Sequence, residues 1–253
     1  MSKRCYLPAT WPGNSLGKPG NVHACTTLRA GGVSSGDYGE YNLAAHVDDD
    51  LQAVKKNRLQ LVRDLKLPAE PVWLEQVHSN KVIIADKNTE PQTTIQADAS
   101  VTGEKGVVCA VLTADCLPVF FCNQSGTEVA VAHAGWRGLH AGIINNTVEA
   151  MNSSVDEIQV SLGPAIGPEV FEVGEEVFHA FVDKSRNNQS AFVATSKNHY
   201  LCDIYQLARL ELQSLGVANI AGGDYCTYSD AQRFYSYRRQ EKTGRMASLI
   251  WLD

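Results

Sequence analysis

A chain of 253 residues that is 44% apolar and 20% charged has the length for one sizeable core and the composition of a soluble globular protein. Its net charge of −6 excludes a generic nucleic-acid or anionic-membrane binder, because both present a basic surface. No apolar run reaches the roughly 18 residues of a membrane span.

The start, "MSKRCYLPATWPG", lacks the apolar stretch of a signal peptide. Seven cysteines, an odd number with no Cys-x-x-Cys spacing, read as reduced thiols, so the expected location is cytoplasmic. Residues 12–21, rich in Gly and Pro, read as a loop, and residues 22–28 as a strand. Residues 29–50 form a long Gly/Ser/Asp loop that carries Arg29, Tyr41, Asn42 and His46. A loop that long in a compact domain is usually functional or disordered.

An Asp run followed by Leu51, Val54, Leu59, Val62 and Leu65 predicts a helix over 51–66, stopped by Pro68. Two β-rich runs, 71–78 and 81–86, are separated by Ser79 and Asn80 and read as a hairpin. Residues 107–114, 117–122 and 128–134 follow as strands. A helix over 138–152 has Leu139, Ile143, Val148 and Met151 on one side. Residues 158–163 read as a strand, 168–184 as a helix with Pro168 in its first turn, 203–216 as a helix and 247–252 as a strand. The elements mix without a βαβ beat, which predicts an α+β fold, and no boundary divides residues 1–253 into two domains.

His78, Cys116 and His133 each stand where a predicted strand meets a loop, the position at which a rigid scaffold presents chemistry. Taken singly, each reads rather as a satisfied core histidine or an inert buried cysteine. Taken together they support two chemistries. One thiolate and two imidazoles make a three-ligand Zn²⁺ site with an open fourth position. Alternatively Cys116 is a nucleophile with His133 as its base. Spacing alone leaves both open.

The segments "WLEQVHSN", "TADCLPVFFC", "AVAHAGWRGLHAGI" and "SLGPAIGPEVFEVG" resemble the signature stretches of the YfiH-type family. "TTLRAGGVSSGDYGEYNLAAHVDDD" and "RFYSYRRQEKTGRMASLIWL" extend the resemblance over nearly the whole chain. Members of that family carry the label polyphenol oxidase or laccase, and later that of purine nucleoside phosphorylase with adenosine deaminase activity. The resemblance implies one catalytic domain of layered α/β/β/α architecture, CNF/YfiH-like, in which His78, Cys116 and His133 hold a metal, usually zinc. It implies turnover of inosine, guanosine, adenosine and methylthioadenosine with phosphate, and small-molecule partners only.

Phosphorolysis needs an oxyanion site. Candidates are Arg29, Asn42, Arg137 and Arg238, with Arg239 beside them, because guanidinium clamps phosphate in a bidentate fork. The turn "GPAIGP" (163–168), read as passing from a strand into a helix, is a weaker candidate. Asp115 reads as a turn residue or as a second layer around the metal. His140 reads as a surface residue, and His179 and His199 have no special context.

Three alternatives stand beside this reading. A copper polyphenol oxidase uses the same Cys and His pair, with Cu²⁺ in place of Zn²⁺, although seven histidines and no His-x-His pair are few for a multicopper enzyme. A Cys/His hydrolase acting on a cell-wall precursor uses the thiol directly. A non-enzymatic zinc protein closes the site with a fourth ligand, for which Asp115 and His46 are the candidates.

Overall fold

The computed structural model describes residues 5–13, 19–90 and 92–253. Residues 14–18 of the predicted Gly/Pro loop lie outside the described residues. The elements run β1 (Tyr6–Pro8), β2 (Val22–Thr27), α1 (Leu51–Leu65), β3 (Trp73–Glu75), β4 (Val82–Ile84), β5 (Gln92–Gln96), β6 (Ala99–Thr102), β7 (Val108–Thr113), β8 (Leu117–Asn123) and β9 (Val129–Ala134). Then come α2 (Trp136–Ala141), α3 (Ile143–Ala150), β10 (Ile158–Leu162), β11 (Glu172–Gly174), α4 (Glu175–Lys184), β12 (Phe192–Ser196), β13 (His199–Cys202), α5 (Ile204–Ser214), β14 (Asn219–Gly222) and β15 (Met246–Leu252).

Two sheets carry the fold. One has the order β1-β2-β15-β7, and the other β14-β10-β8-β9-β6-β4. Side-chain alternation builds the layers. In β8, Phe120 and Cys122 face the other sheet, while Leu117, Val119 and Phe121 face the helices. In β7, Cys109 and Val111 join that inter-sheet core, while Val108, Ala110 and Leu112 turn outward to α1. β15 divides in the same way, with Ile250 and Leu252 inward and Ala247, Leu249 and Trp251 outward. Helices α2 to α5 cover the far face of the six-stranded sheet. The result is an α+β fold with the α/β/β/α layering that the family resemblance implies. Both faces of β7, β8 and β15 are buried, so they read as continuous apolar runs, and each large apolar side chain there contributes about 1.5–3 kcal/mol. Among the described residues no helix is long and apolar enough to cross a membrane.

Four expectations are corrected. The runs 71–78 and 81–86 do not pair: β3 pairs in parallel with β5, and β4 in parallel with β6. The cause is Asp98, whose carboxylate accepts the N–H groups of Val77, His78 and Ser79 and so bends the chain out of hairpin geometry. The helix over 138–152 starts earlier, at Trp136, and breaks at Gly142 (φ 91°), a left-handed conformation that glycine adopts without a Cβ penalty. The helix over 168–184 begins only at Glu175, because residues 172–174 add a strand to β13. The turn 163–168 consequently runs into a further turn and not into a helix N-terminus.

Helix α1 is capped by Asp50, whose side chain accepts from Gln52 N at 2.9 Å. Its buried face carries Ala53, Val54, Asn57 and Leu61, while Leu51 and Leu59 are exposed. Asn57 turns the helix that way. Its side chain donates to Ser34 Oγ and to the carbonyls of Glu40 and Asn42, and accepts from Val33 N. The helix thereby pins the long 29–50 loop against the sheet.

Candidate metal centre

The chain brings its three singled-out residues together by three different routes. His78 lies in the bend after β3 with φ 57°, an unusual conformation for a non-glycine residue. Asp98, fully buried between β5 and β6, holds that bend. Its Oδ1 accepts His78 N at 3.1 Å, and its Oδ2 accepts Ser79 N at 2.6 Å and Ser79 Oγ at 2.7 Å. Cys116 sits just before β8, after Asp115, which has φ 92°. His133 is the penultimate residue of β9, beside β8 in the same sheet.

Asp98 also fixes His133. Its Oδ1 lies 2.8 Å from His133 Nδ1, and its backbone oxygen accepts His133 N at 2.7 Å. A carboxylate on Nδ1 sets the tautomer and turns Nε2 toward a ligand. The His78 and His133 rings meet edge to face with centroids 4.9 Å apart. One donor atom from each of His78, Cys116 and His133 lies within 4.8 Å of the other two. Bonds of about 2.0–2.3 Å in tetrahedral geometry place ligands roughly 3.3–3.8 Å apart, so small side-chain movements close these three on one cation. The donor set fits a divalent metal, and His78 leaves its side open to solvent.

Electrostatics favour the ligating thiolate at Cys116, whereas at His133 they favour the protonated ring, whose proton a metal would displace. Burial pushes the Cys116 thiol up, but the charge of His133 and hydrogen bonds from His133 and His78 outweigh it and hold the thiol well below its ordinary value. Burial pushes the His133 imidazole down, and the opposing charge of Cys116 with the Asp98 hydrogen bond raises it further the other way. Burial also raises Asp98, yet the hydrogen bonds from His133 and Ser79 bring it down to about 2. Gly135 stands against the site: a Cβ there would lie 2.9 Å from Cys116 Sγ and 3.2 Å from His78 Cδ2.

The three donors open into a cavity of about 500 Å³, within the range of small-ligand pockets. Trp136, Phe171 and Tyr237 supply aromatic walls, and Arg137, Arg238 and Arg245 supply charge. A larger hollow of about 690 Å³ lies over α1, lined by residues such as Leu51, Lys55 and Leu59, and contains no Cys or His donor.

Of the candidates read from sequence, Arg137, Arg238, His46 and Asp115 line the cavity with the three donors. Arg29, Asn42 and Arg239 fall outside its lining. Arg29 donates to the carbonyls of Ala231 and Gly39, and Arg239 to those of Thr227, Tyr228 and Phe234. Asn42 is fully buried and bonded to Ala44, Asp49 and Arg245 N. These three tie loops together, which is why an accessible-ligand role does not suit them. Asp115 is likewise engaged: Oδ1 accepts Thr227 Oγ1 at 2.6 Å, and Oδ2 accepts Arg238 N at 2.7 Å and Ser236 Oγ at 3.0 Å. His140 is half-buried against Phe181. Asp98 and Arg245 escaped the sequence reading. Asp98 had one visible signal, an acid immediately before a short β-prone run, Ala99–Thr102; Arg245 had none.

A family model described as multi-copper polyphenol oxidoreductase laccase matches residues 23–253. A relative from Escherichia coli named purine nucleoside phosphorylase YfiH is 50% identical over 252 residues, covering 100% of each chain. A Pseudomonas aeruginosa protein named purine nucleoside phosphorylase is 49% identical over 249 residues, covering 98% of each. The crystal structure of a Neisseria meningitidis protein superposes with a TM-score of 0.92 at 46% identity, covering 98% of this chain and 99% of that one.

Proposed function

The chain belongs to the multi-copper polyphenol oxidoreductase laccase family, of YfiH type, and from that premise we propose that it is a zinc-dependent purine nucleoside phosphorylase that also deaminates adenosine. The names of its purine nucleoside phosphorylase relatives support an enzyme acting on nucleosides with phosphate. The observation that carries the reading is that the Cys116, His78 and His133 donors share one cavity with Arg137, Arg238 and Arg245.

In this reading the substrates are inosine, guanosine, adenosine and methylthioadenosine. His78, Cys116 and His133 would hold the zinc, and Asp98 keeps His133 in the ligating tautomer. Zinc, when bound, supplies Lewis acidity beside the purine. The arginines hold phosphate against the sugar face, and Trp136, Phe171 and Tyr237 flank the flat base. A phosphate oxygen bonds to C1′ of the ribose while the C1′–N9 bond breaks. The bonding electrons leave on the purine, which takes up a proton from solvent at the open His78 side. In deamination, water adds at C6 and ammonia leaves. The thiol of Cys116 suits a reducing compartment, and we place the protein in the cytoplasm.

The test is turnover of inosine and adenosine by zinc-loaded protein with and without phosphate. Ribose 1-phosphate formed only with phosphate and lost on chelation supports the reading. Activity that survives chelation assigns the site to a Cys/His hydrolase instead. The family description favours a second reading, copper-dependent phenol oxidation at the same donors, since Cys with two His also suits copper. Oxygen uptake with phenols by the copper-loaded protein, at rates above those of nucleoside turnover, would establish it.

A further inference from the structure

Three arginines enter this cavity, and among the described residues none of them forms an ion pair with a carboxylate. The chain has 28 acidic residues against 22 basic ones, so unpaired cations gathered at one place are a built feature. Arg137 and Arg238 are exposed, but Arg245 is half-buried. Arg245 feels the negative charges of Cys116 and Asp115 but touches no carboxylate, so part of the cost of withdrawing it from water is recovered when an anion enters.

The local structure presents the Arg245 guanidinium with its donors partly unspent. Nη1 donates to Thr243 O at 2.7 Å and Gly244 O at 3.1 Å, whereas among the described residues Nε and Nη2 have no protein acceptor. The Arg245 N–H donates to Asn42 Oδ1 at 2.9 Å, from an Asn42 that is itself fully buried. Gly244 allows this packing, because a Cβ there would come within 2.7 Å of Tyr235 and 2.9 Å of Asn42. The Tyr237 ring lies 5.9 Å from the guanidinium carbon and lines the same cavity. Arg238 is held from behind, its N–H on Asp115 Oδ2 and its Nη1 on Glu172 O.

We propose that Arg245, with Arg238 beside it in the cavity, forms the oxyanion subsite that takes the phosphate dianion. The free Nε–Nη2 edge offers two parallel donors, the arrangement a phosphate accepts in a bidentate fork. This deepens the phosphorolysis reading and rests on it.

The experiment measures binding of inorganic phosphate to the zinc-loaded protein by calorimetry, independently of turnover. Arg245→Gln should weaken phosphate at least tenfold, and Arg245→Lys, which keeps the charge but loses the fork, should weaken it less. Zinc content should stay at parent level in both. Phenylglyoxal modification of the parent protein, mapped by mass spectrometry, gives a test free of mutation: phosphate should protect Arg245. Parent-like phosphate affinity in Arg245→Gln, or modification of Arg245 unchanged by phosphate, overturns the subsite. If phosphate binds through Arg245 and no nucleoside is cleaved, the phosphorylase reading fails while the subsite stands. If nucleosides are cleaved with an unaltered KM for phosphate in Arg245→Gln, the subsite fails while the phosphorylase reading stands.

Discussion

Replacing Gly135 by alanine isolates the metal centre from the rest of the fold. The backbone at Gly135, φ −63° and ψ 159°, is one that alanine adopts without strain. The added methyl would lie 2.9 Å from Cys116 Sγ and 3.2 Å from His78 Cδ2. Non-bonded heavy atoms rest about 3.5–4.0 Å apart, so Sγ must retreat by roughly 0.6–1.1 Å and the imidazole by roughly 0.3–0.8 Å. A functional constellation tolerates displacements of about 0.5 Å. The methyl therefore pushes two of the three donors out of place, and metal affinity should fall about 10–100-fold, the range seen when ligand orientation is lost. That is about 1.4–2.8 kcal/mol. The assay is competition for Zn²⁺ against a chromophoric chelator, with thermal melting of the metal-free protein alongside. Affinity within twofold of the parent refutes the reasoning. A melting point of the metal-free protein lowered by as much as that of the holo-protein refutes it too, because the methyl would then be perturbing the fold.

Asp98→Asn keeps size but offers an amide where three N–H groups and an imidazole need an acceptor; metal affinity should drop about 10–100-fold, and the Co²⁺ spectrum at saturating metal should change. An unaltered Co²⁺ spectrum would deny Asp98 its orienting role. Cys116→Ser should lower zinc content and turnover together, measured by metal analysis and product formation. In the parent, iodoacetamide should label Cys116 slowly until zinc is chelated, while the buried Cys25, Cys109 and Cys202 stay unlabelled throughout; immediate labelling of holo-protein with loss of activity would mark Cys116 as a free nucleophile. Asp115→Asn loosens the segment carrying Tyr237 and Arg238, so KM for the nucleoside should rise several-fold with zinc content unchanged, and a fall in kcat alone would count against that.

The central strands were legible because they are apolar on both faces, and helices α1 and α5 because Asp50 and Asp203 cap them. The runs at 107–114, 117–122 and 128–134 read directly as β7, β8 and β9. The hairpin over 71–86 misled because local pattern contains no trace of Asp98, a residue brought in from the next strand pair to claim three amide protons. The three donors were visible as isolated polar residues beside apolar runs. Their meeting was not, since it depends on the β8–β9 register and on the bend at His78. Asn42 and Arg29 looked like ligand groups because a polar residue in a long loop carries no sign of whether it faces solvent or its own backbone. Arg245 was hidden by the opposite effect: nothing in its sequence neighbours marks a guanidinium that has no carboxylate partner among the described residues.

The place of β15 has a consequence for how the protein is made. This strand lies between β2 and β7, bonded to both, and is the last of the three to be synthesised. Roughly 130 residues separate the end of β7 from its start, and at about 5–20 residues per second the ribosome takes roughly 7–26 s to supply them. Through that interval the nascent chain holds two strands rich in Val, Thr and Ala whose shared partner does not yet exist. Unpaired edges of this kind recruit other chains. The time of greatest aggregation hazard is therefore fixed by sequence order, and slowing translation over the stretch 114–245 lengthens it directly.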